Sequence, residues 1–88
     1  MNAASAPNLT RMAWEEVDGK LEVVVKKKDF VEAMTFVNQV ADIAEELNHH
    51  PDIDIRWNTV TLRAWMHTAG GITDKDRELA ARIDAIAG

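Results

Sequence analysis

Apolar positions along this chain follow two rhythms, one of period two and one of period three to four. The run Leu21 to Lys26 is rich in β-branched residues and follows Asp18-Gly19, a pair that favours a tight hairpin because glycine accepts positive φ. With Glu15 to Val17 on the other side of that pair, the pattern predicts a β-hairpin just after Trp14. The period then lengthens: Phe30, Ala33, Phe36, Val37, Val40, Ala41, Ala44 and Leu47 recur at helical spacing, with Glu32, Gln39, Asp42 and Glu46 on the polar side. Asp29 is placed to cap the amide of Glu32. The helix should end near Asn48, because His50 precedes Pro51 and a residue before proline avoids the helical region. Alternation returns in Asp52 to Trp57 and in Thr59 to Met66, two predicted strands with Asn58 near their turn. In the second, Val60, Leu62, Ala64 and Met66 share one face, and Thr59, Thr61, Arg63 and Trp65 share the other. Gly70-Gly71 breaks the pattern, and Thr73-Asp74-Lys75-Asp76 spells a capping box opening a last helix, with Leu79, Ala80, Ile83 and Ile86 turned inward.

The order hairpin, helix, hairpin, helix predicts an α+β fold: a four-stranded antiparallel sheet with its helices packed on one face, since each helix has one apolar stripe and the sheet one face to cover it. Residues 1–11 carry no sustained period and read as a loose arm, ending at most in a short helical turn. Residues 12–88 read as a single domain.

At 88 residues the core is small, so association with further copies of the chain is expected from size. The absence of cysteine excludes disulfides, thiolate metal sites and cysteine nucleophiles. Residues 1–12 lack the basic and apolar blocks of a signal peptide, and no apolar run approaches the roughly 20 residues that span a bilayer, so a cytoplasmic protein without membrane partners is expected. The formal charge of −5 argues against direct nucleic-acid binding, which draws its affinity from lysine and arginine displacing counterions. Lys26-Lys27-Lys28 is the local exception and reads as a solvated strand end leading into the helix.

Candidate chemistry gathers in one stretch. All three histidines, His49, His50 and His67, fall within nineteen positions, at the end of a helix and the end of a strand. With an ordinary pKa of about 6.5, imidazole both takes and gives a proton near neutrality, which suits an elimination needing an acid and a base. No serine triad competes, because Ser5 is the only serine and lies in the arm. Each residue also has a structural alternative. His49 can be a helix cap favoured by the dipole, His50 a surface turn residue, His67 a local hydrogen-bonding group, and Asp76 no more than the third residue of its capping box. Glu45 is less easily explained this way, since a carboxylate near a helix C-terminus opposes the dipole.

Glu45-x-x-x-His49-His50-Pro51, followed after five residues by Trp57, after nine more by His67 and after eight more by Asp76, resembles the signature of the pterin-4a-carbinolamine dehydratases. The resemblance extends to Trp14 ahead of Asp18-Gly19, Asp29-Phe30, Asn58, Val60, His67-Thr68-x-Gly70-Gly71-Ile72-Thr73 and Leu79-Ala80, and so covers nearly all of the chain after the arm. Three features depart from it: Trp57 stands where the family often has tyrosine, Trp65 adds a large ring near His67, and Lys26 to Lys28 replace a more aromatic stretch.

The resemblance implies dehydration of a 4a-hydroxytetrahydropterin to the quinonoid dihydropterin, with no metal and no cofactor. It implies His50 at the proton of the ring nitrogen and His49 and His67 at the leaving hydroxyl. Glu45 would orient a neighbouring imidazole, Asp76 with His67 would hold the loop that ends the second hairpin, and Pro51 would fix the histidine turn. Trp57, with Trp65, would supply aromatic wall. The partners implied are a small-molecule pterin and further copies of the chain, as a homodimer or a homotetramer. Two alternatives stand beside this reading: a non-catalytic pterin-binding or dimerisation scaffold of the same fold, and an open zinc site drawn from Glu45, His49, His50 and His67.

Overall fold

In the computed structural model, residues 14–87 are described; the arm and its expected helical turn lie outside them. Strand β1 (Glu15–Val17) turns through Asp18 and Gly19 into β2 (Lys20–Lys26), followed by α1 (Phe30–Leu47), β3 (Asp52–Arg56), β4 (Thr59–Ala64) and α2 (Asp74–Ala87). Both turn residues of the first hairpin have positive φ, 51° at Asp18 and 77° at Gly19, the conformation for which an Asp-Gly pair is suited. The sheet is antiparallel throughout, in the order β1-β2-β4-β3. Its centre is the β2–β4 pair, in which Leu21 faces Ala64, Val23 faces Leu62 and Val25 faces Val60.

Those side chains supply the sheet's half of the core. Leu21, Val23, Val60, Leu62 and Ala64 are buried against Ala33, Phe36, Val37, Val40 and Ile43 of α1 and Leu79, Ala80 and Ile83 of α2. Both helices therefore cover one face, as the alternation predicted. The opposite face is polar, with an Arg63 Nε to Glu22 Oε2 ion pair at 2.6 Å across the central strands. On α1, at about 100° per residue, every buried position lies within about 60° of Val40. Ile43 belongs to that stripe although it was not among the expected inward residues. Phe30 and Ala41 fall off its edge and are exposed, as is Ile86 in the last turn of α2.

The helix ends decide where the histidines go. Asp29 caps α1 as expected, its Oδ1 accepting from the amide of Glu32 at 2.9 Å. At the other end the stop is made by Asn48, in the left-handed region at φ 52°. The amide of His49 donates to the carbonyl of Ala44 (3.0 Å) and that of Asn48 to Glu45 (3.2 Å), the paired bonds of a Schellman turn. Pro51 comes three residues after Asn48, so the proline follows an end already made. The second hairpin turns at Trp57, also at positive φ (51°), and Asn58. Asn58 locks this end of the sheet to β2: its carbonyl accepts from the amide of Lys27 (2.8 Å) and its side-chain amide donates to the carbonyl of Lys27 (2.9 Å).

Candidate active site

The Schellman turn folds the chain back so that His49 is buried, with 8% of its surface exposed, while the next residue, His50, points to solvent. One helix end thus presents two adjacent imidazoles to different surroundings. His49 Nε2 donates to Asp76 Oδ1 at 2.5 Å, an enclosed pair, since Asp76 has no exposed surface at all. Asp76 is tied on its other oxygen as well: Oδ2 accepts from the amide of Thr73 at 2.7 Å and from its hydroxyl at 3.1 Å. This is the capping box in one direction only, because the amide of Asp76 donates to the carbonyl of Thr73 rather than to its hydroxyl. The cap leaves Oδ1 directed at the end of α1, so the start of one helix holds the imidazole at the end of the other.

His50 is held differently. Its Nε2 donates to Glu45 Oε2 at 2.6 Å, a contact within one turn of the same helix end and exposed on both sides. A carboxylate can only accept, so in both pairs the proton is on Nε2 and Nδ1 is the remaining position of the ring. The Glu45 carboxylate, opposed to the dipole, thereby has a partner that explains its place.

His67 arrives from β4. The strand proper ends at Ala64, and the chain then makes an isolated bridge between Met66 and Gly71, with the Met66 amide donating to the Gly71 carbonyl at 2.8 Å. His67 sits at the start of that tight loop, exposed, and its ring is stacked on Trp65 with centroids 3.9 Å apart and planes 23° apart. The expectation that Asp76 and His67 jointly hold this loop is corrected here: backbone bonds between Met66 and Gly71 close it, and Asp76 is committed to His49 and Thr73. Trp65 is also within reach of β3, its Nε1 donating to Asp52 Oδ2 at 3.4 Å, and Lys20 Nζ lies 4.8 Å from the centre of its ring.

Glu45, His49, His50, Pro51, Asp52, Trp65, His67 and Asp76 thus collect at one end of the sheet, where α1 ends, β3 begins, β4 ends and α2 starts. Trp57 is not part of this group. It lies at the opposite end of β3, six residues from Pro51 or about 20 Å at the rise of about 3.4 Å per strand residue, and is 68% exposed. Asp52 and Lys20 were not singled out from the sequence. The signal that finds them is the strand register, Asp52 opposite Arg63 and Leu21 opposite Ala64, which brings both alongside Trp65. Among the described residues, no group of three or more His, Asp or Glu side chains is arranged to hold a metal ion, the imidazoles being divided between separate partners.

A four-stranded antiparallel sheet with two helices on one face, carrying two histidine–carboxylate pairs and a third histidine at a sheet end, defines a small α+β protein with imidazoles gathered at one end of its sheet. Comparison with known proteins narrows the class. The sequence profile described as Pterin 4 alpha carbinolamine dehydratase matches residues 2–86, and the chain belongs to that family. A protein of Mycolicibacterium vanbaalenii named "Putative pterin-4-alpha-carbinolamine dehydratase" is 48% identical over 85 residues, covering 97% of this chain and 89% of its own length. One of the same name from Acidobacterium capsulatum is 53% identical over 74 residues, 84% of this chain and 80% of its own. Among solved structures, one described as a transcriptional coactivator/pterin dehydratase from Brucella melitensis superposes with a TM-score of 0.82 at 32% identity, over 100% of this chain and 97% of its own. Another, described as a pterin dehydratase-like RuBisCO assembly factor of the alpha-carboxysome, shares the fold with a TM-score of 0.71 at 23% identity, over 89% of this chain and 90% of its own.

Proposed function

We propose that the chain catalyses the dehydration of a 4a-hydroxytetrahydropterin to the quinonoid dihydropterin and water, returning the pterin used by aromatic amino-acid hydroxylases, in the cytoplasm. The observation that carries this reading is the His50–Glu45 and His49–Asp76 pairs at the end of α1 together with the exposed His67 just past the end of β4, element ends that lie at the same end of the sheet. In the elimination the C4a–O bond breaks, the N5–H bond breaks, and the nitrogen lone pair closes the C4a–N5 double bond. Hydroxide is a poor leaving group and must be protonated as it departs, while the N5 proton must be taken up, so the site needs one acid and one base.

His50, fixed at Nε2 by Glu45, offers Nδ1 to the N5 proton. The ring nitrogens of His67 make no hydrogen bond among the described residues, its carbonyl alone accepting one from the amide of Gly70, so its ring is available to protonate the departing hydroxyl. His49 supports the hydroxyl side from its buried pair with Asp76, which fixes its proton on Nε2. Positioned proton transfer of this kind is worth about 10²- to 10⁴-fold each. No step calls for a metal or a redox cofactor.

The other reading, a scaffold without catalysis, has its support in the description of the Brucella neighbour, which joins coactivator and dehydratase in one phrase. Stopped-flow decay of the 4a-carbinolamine, with and without the protein and again after treatment with a strong chelator, separates the readings. Accelerated decay that survives chelation is expected. Decay at the uncatalysed rate leaves the scaffold, and activity lost to chelation and restored by zinc overturns the cofactor-free mechanism.

A further inference from the structure

We propose that Trp65 is a positioning residue of this site: its indole, tethered to Asp52, sets the plane of the His67 imidazole and couples the end of β4 to the turn that carries His50. This rests on the reading of the site as a dehydratase and adds to it a residue that makes no proton transfer of its own.

His67 needs such a device. It lies just beyond the last ladder residue of β4, on an exposed loop, and its ring nitrogens have no hydrogen-bond partner among the described residues. An imidazole placed so is free to rotate about χ1 and χ2, yet a general acid must point one nitrogen edge at the departing oxygen. Stacking on a larger ring removes that freedom without consuming either nitrogen. The 3.9 Å centroid separation and 23° interplanar angle cover a face of the imidazole and leave its edge, which bears both nitrogens, open.

The indole is itself held. Trp65 and Arg63 point to the same side of the sheet, and Arg63 is the partner of Asp52 across the ladder. Asp52 therefore stands diagonally opposite Trp65, within the reach that cross-strand diagonals allow to a long side chain, and its Oδ2 accepts from the indole N–H at 3.4 Å. Lys20, adjacent on β2, places its ammonium 4.8 Å from the indole centre, a cation–π contact that restrains the ring from the other neighbouring strand. Because Asp52 follows Pro51 directly, the contact joins His67 to the His49-His50-Pro51 turn through a single side chain. The acid and the base of the elimination come from elements distant in sequence, and Trp65 is the link that registers one against the other. A misplacement of about 1 Å in such a pair can cost about 10²-fold.

The test combines side-chain NMR with kinetics on Trp65→Ala, Trp65→Phe and Asp52→Ala. In the parent, the imidazole protons of His67 are expected upfield of those of His50, since they lie over the ring current of the indole. The shift should vanish in Trp65→Ala, persist in weakened form in Trp65→Phe, and broaden in Asp52→Ala as the untethered indole samples several rotamers. Turnover should fall roughly 10- to 100-fold in Trp65→Ala with KM changed little, and less in the other two. Asp52→Ala keeps the case decidable if Trp65→Ala misfolds, because it leaves both rings in place. His67 resonances unchanged between parent and Trp65→Ala overturn the proposal, and so does parental turnover in a folded Trp65→Ala whose His67 shift is lost. A parent without dehydratase activity sinks the functional reading, and the His67 resonances then still decide whether the indole sets the ring.

Discussion

The two solvent-facing imidazoles, His50 and His67, contribute nothing to the apolar core, so their removal separates chemistry from folding. His50→Ala and His67→Ala should each lower turnover about 10²- to 10⁴-fold, equivalent to about 2.7 to 5.4 kcal/mol of transition-state stabilisation. Their unfolding free energies should stay within about 0.5 kcal/mol of the parent, as for surface substitutions generally. The double variant should lose less than the sum if both rings act on one elimination, since groups working as a unit are not additive. Steady-state kinetics alongside urea denaturation checks both halves: near-parental turnover in either single variant removes that residue from the mechanism. His49 differs because it is buried, and its behaviour belongs with the helix ends that enclose it.

At the scale of elements, the end of α1 and the start of α2 are joined through the carboxylate of Asp76, which caps one helix and holds an imidazole from the other. Asp76→Ala deletes both contacts. A lost cap costs about 1 kcal/mol and a buried polar group left unpartnered about 1 to 3 kcal/mol, so a loss of about 2 to 4 kcal/mol is expected. Asp76→Asn keeps an oxygen for the Thr73 amide and an amide that can meet the imidazole in its other tautomer, so it should cost less. Urea titrations of both variants at one protein concentration measure this; an alanine variant as stable as the parent would mean that the enclosed pair contributes nothing to holding the helices together. The His50–Glu45 pair, exposed on both sides, is a weak stabiliser by comparison, and its loss should register in turnover rather than in stability.

For the whole molecule, one face of the sheet is covered by helices while, among the described residues, neither edge strand has a further strand beside it. Strand β1 has only three residues, but β3 runs from Asp52 to Arg56 with its outer amides and carbonyls unpaired by any other strand of the sheet. An open edge beside a small core favours association, and light scattering at micromolar concentration should give a mass at least twice that of the 88-residue chain. A strictly monomeric mass would contradict that expectation. Within the chain, the element order, the sheet's inward face and the helix caps were legible in the sequence because they depend on period and on nearest neighbours: alternation in Val60, Leu62 and Ala64, the stripe through Val40, and Asp29 and Thr73 at the helix starts. The residue types of the site were legible for the same reason, being spelled at fixed spacings around His49-His50-Pro51. Their long-range partners were not. That Asp76 turns to His49 rather than to His67 and that Trp65 reaches Asp52 follow from how α2 docks on α1 and how β3 registers on β4, whereas Trp65 beside His67 and Glu45 beside His50 are short-range contacts that the spacing already brought together. Contacts between residues 13 or 27 positions apart carry no local signature, because the chain between them must fold before either side chain meets the other, and only packing decides which of several carboxylates an imidazole finds.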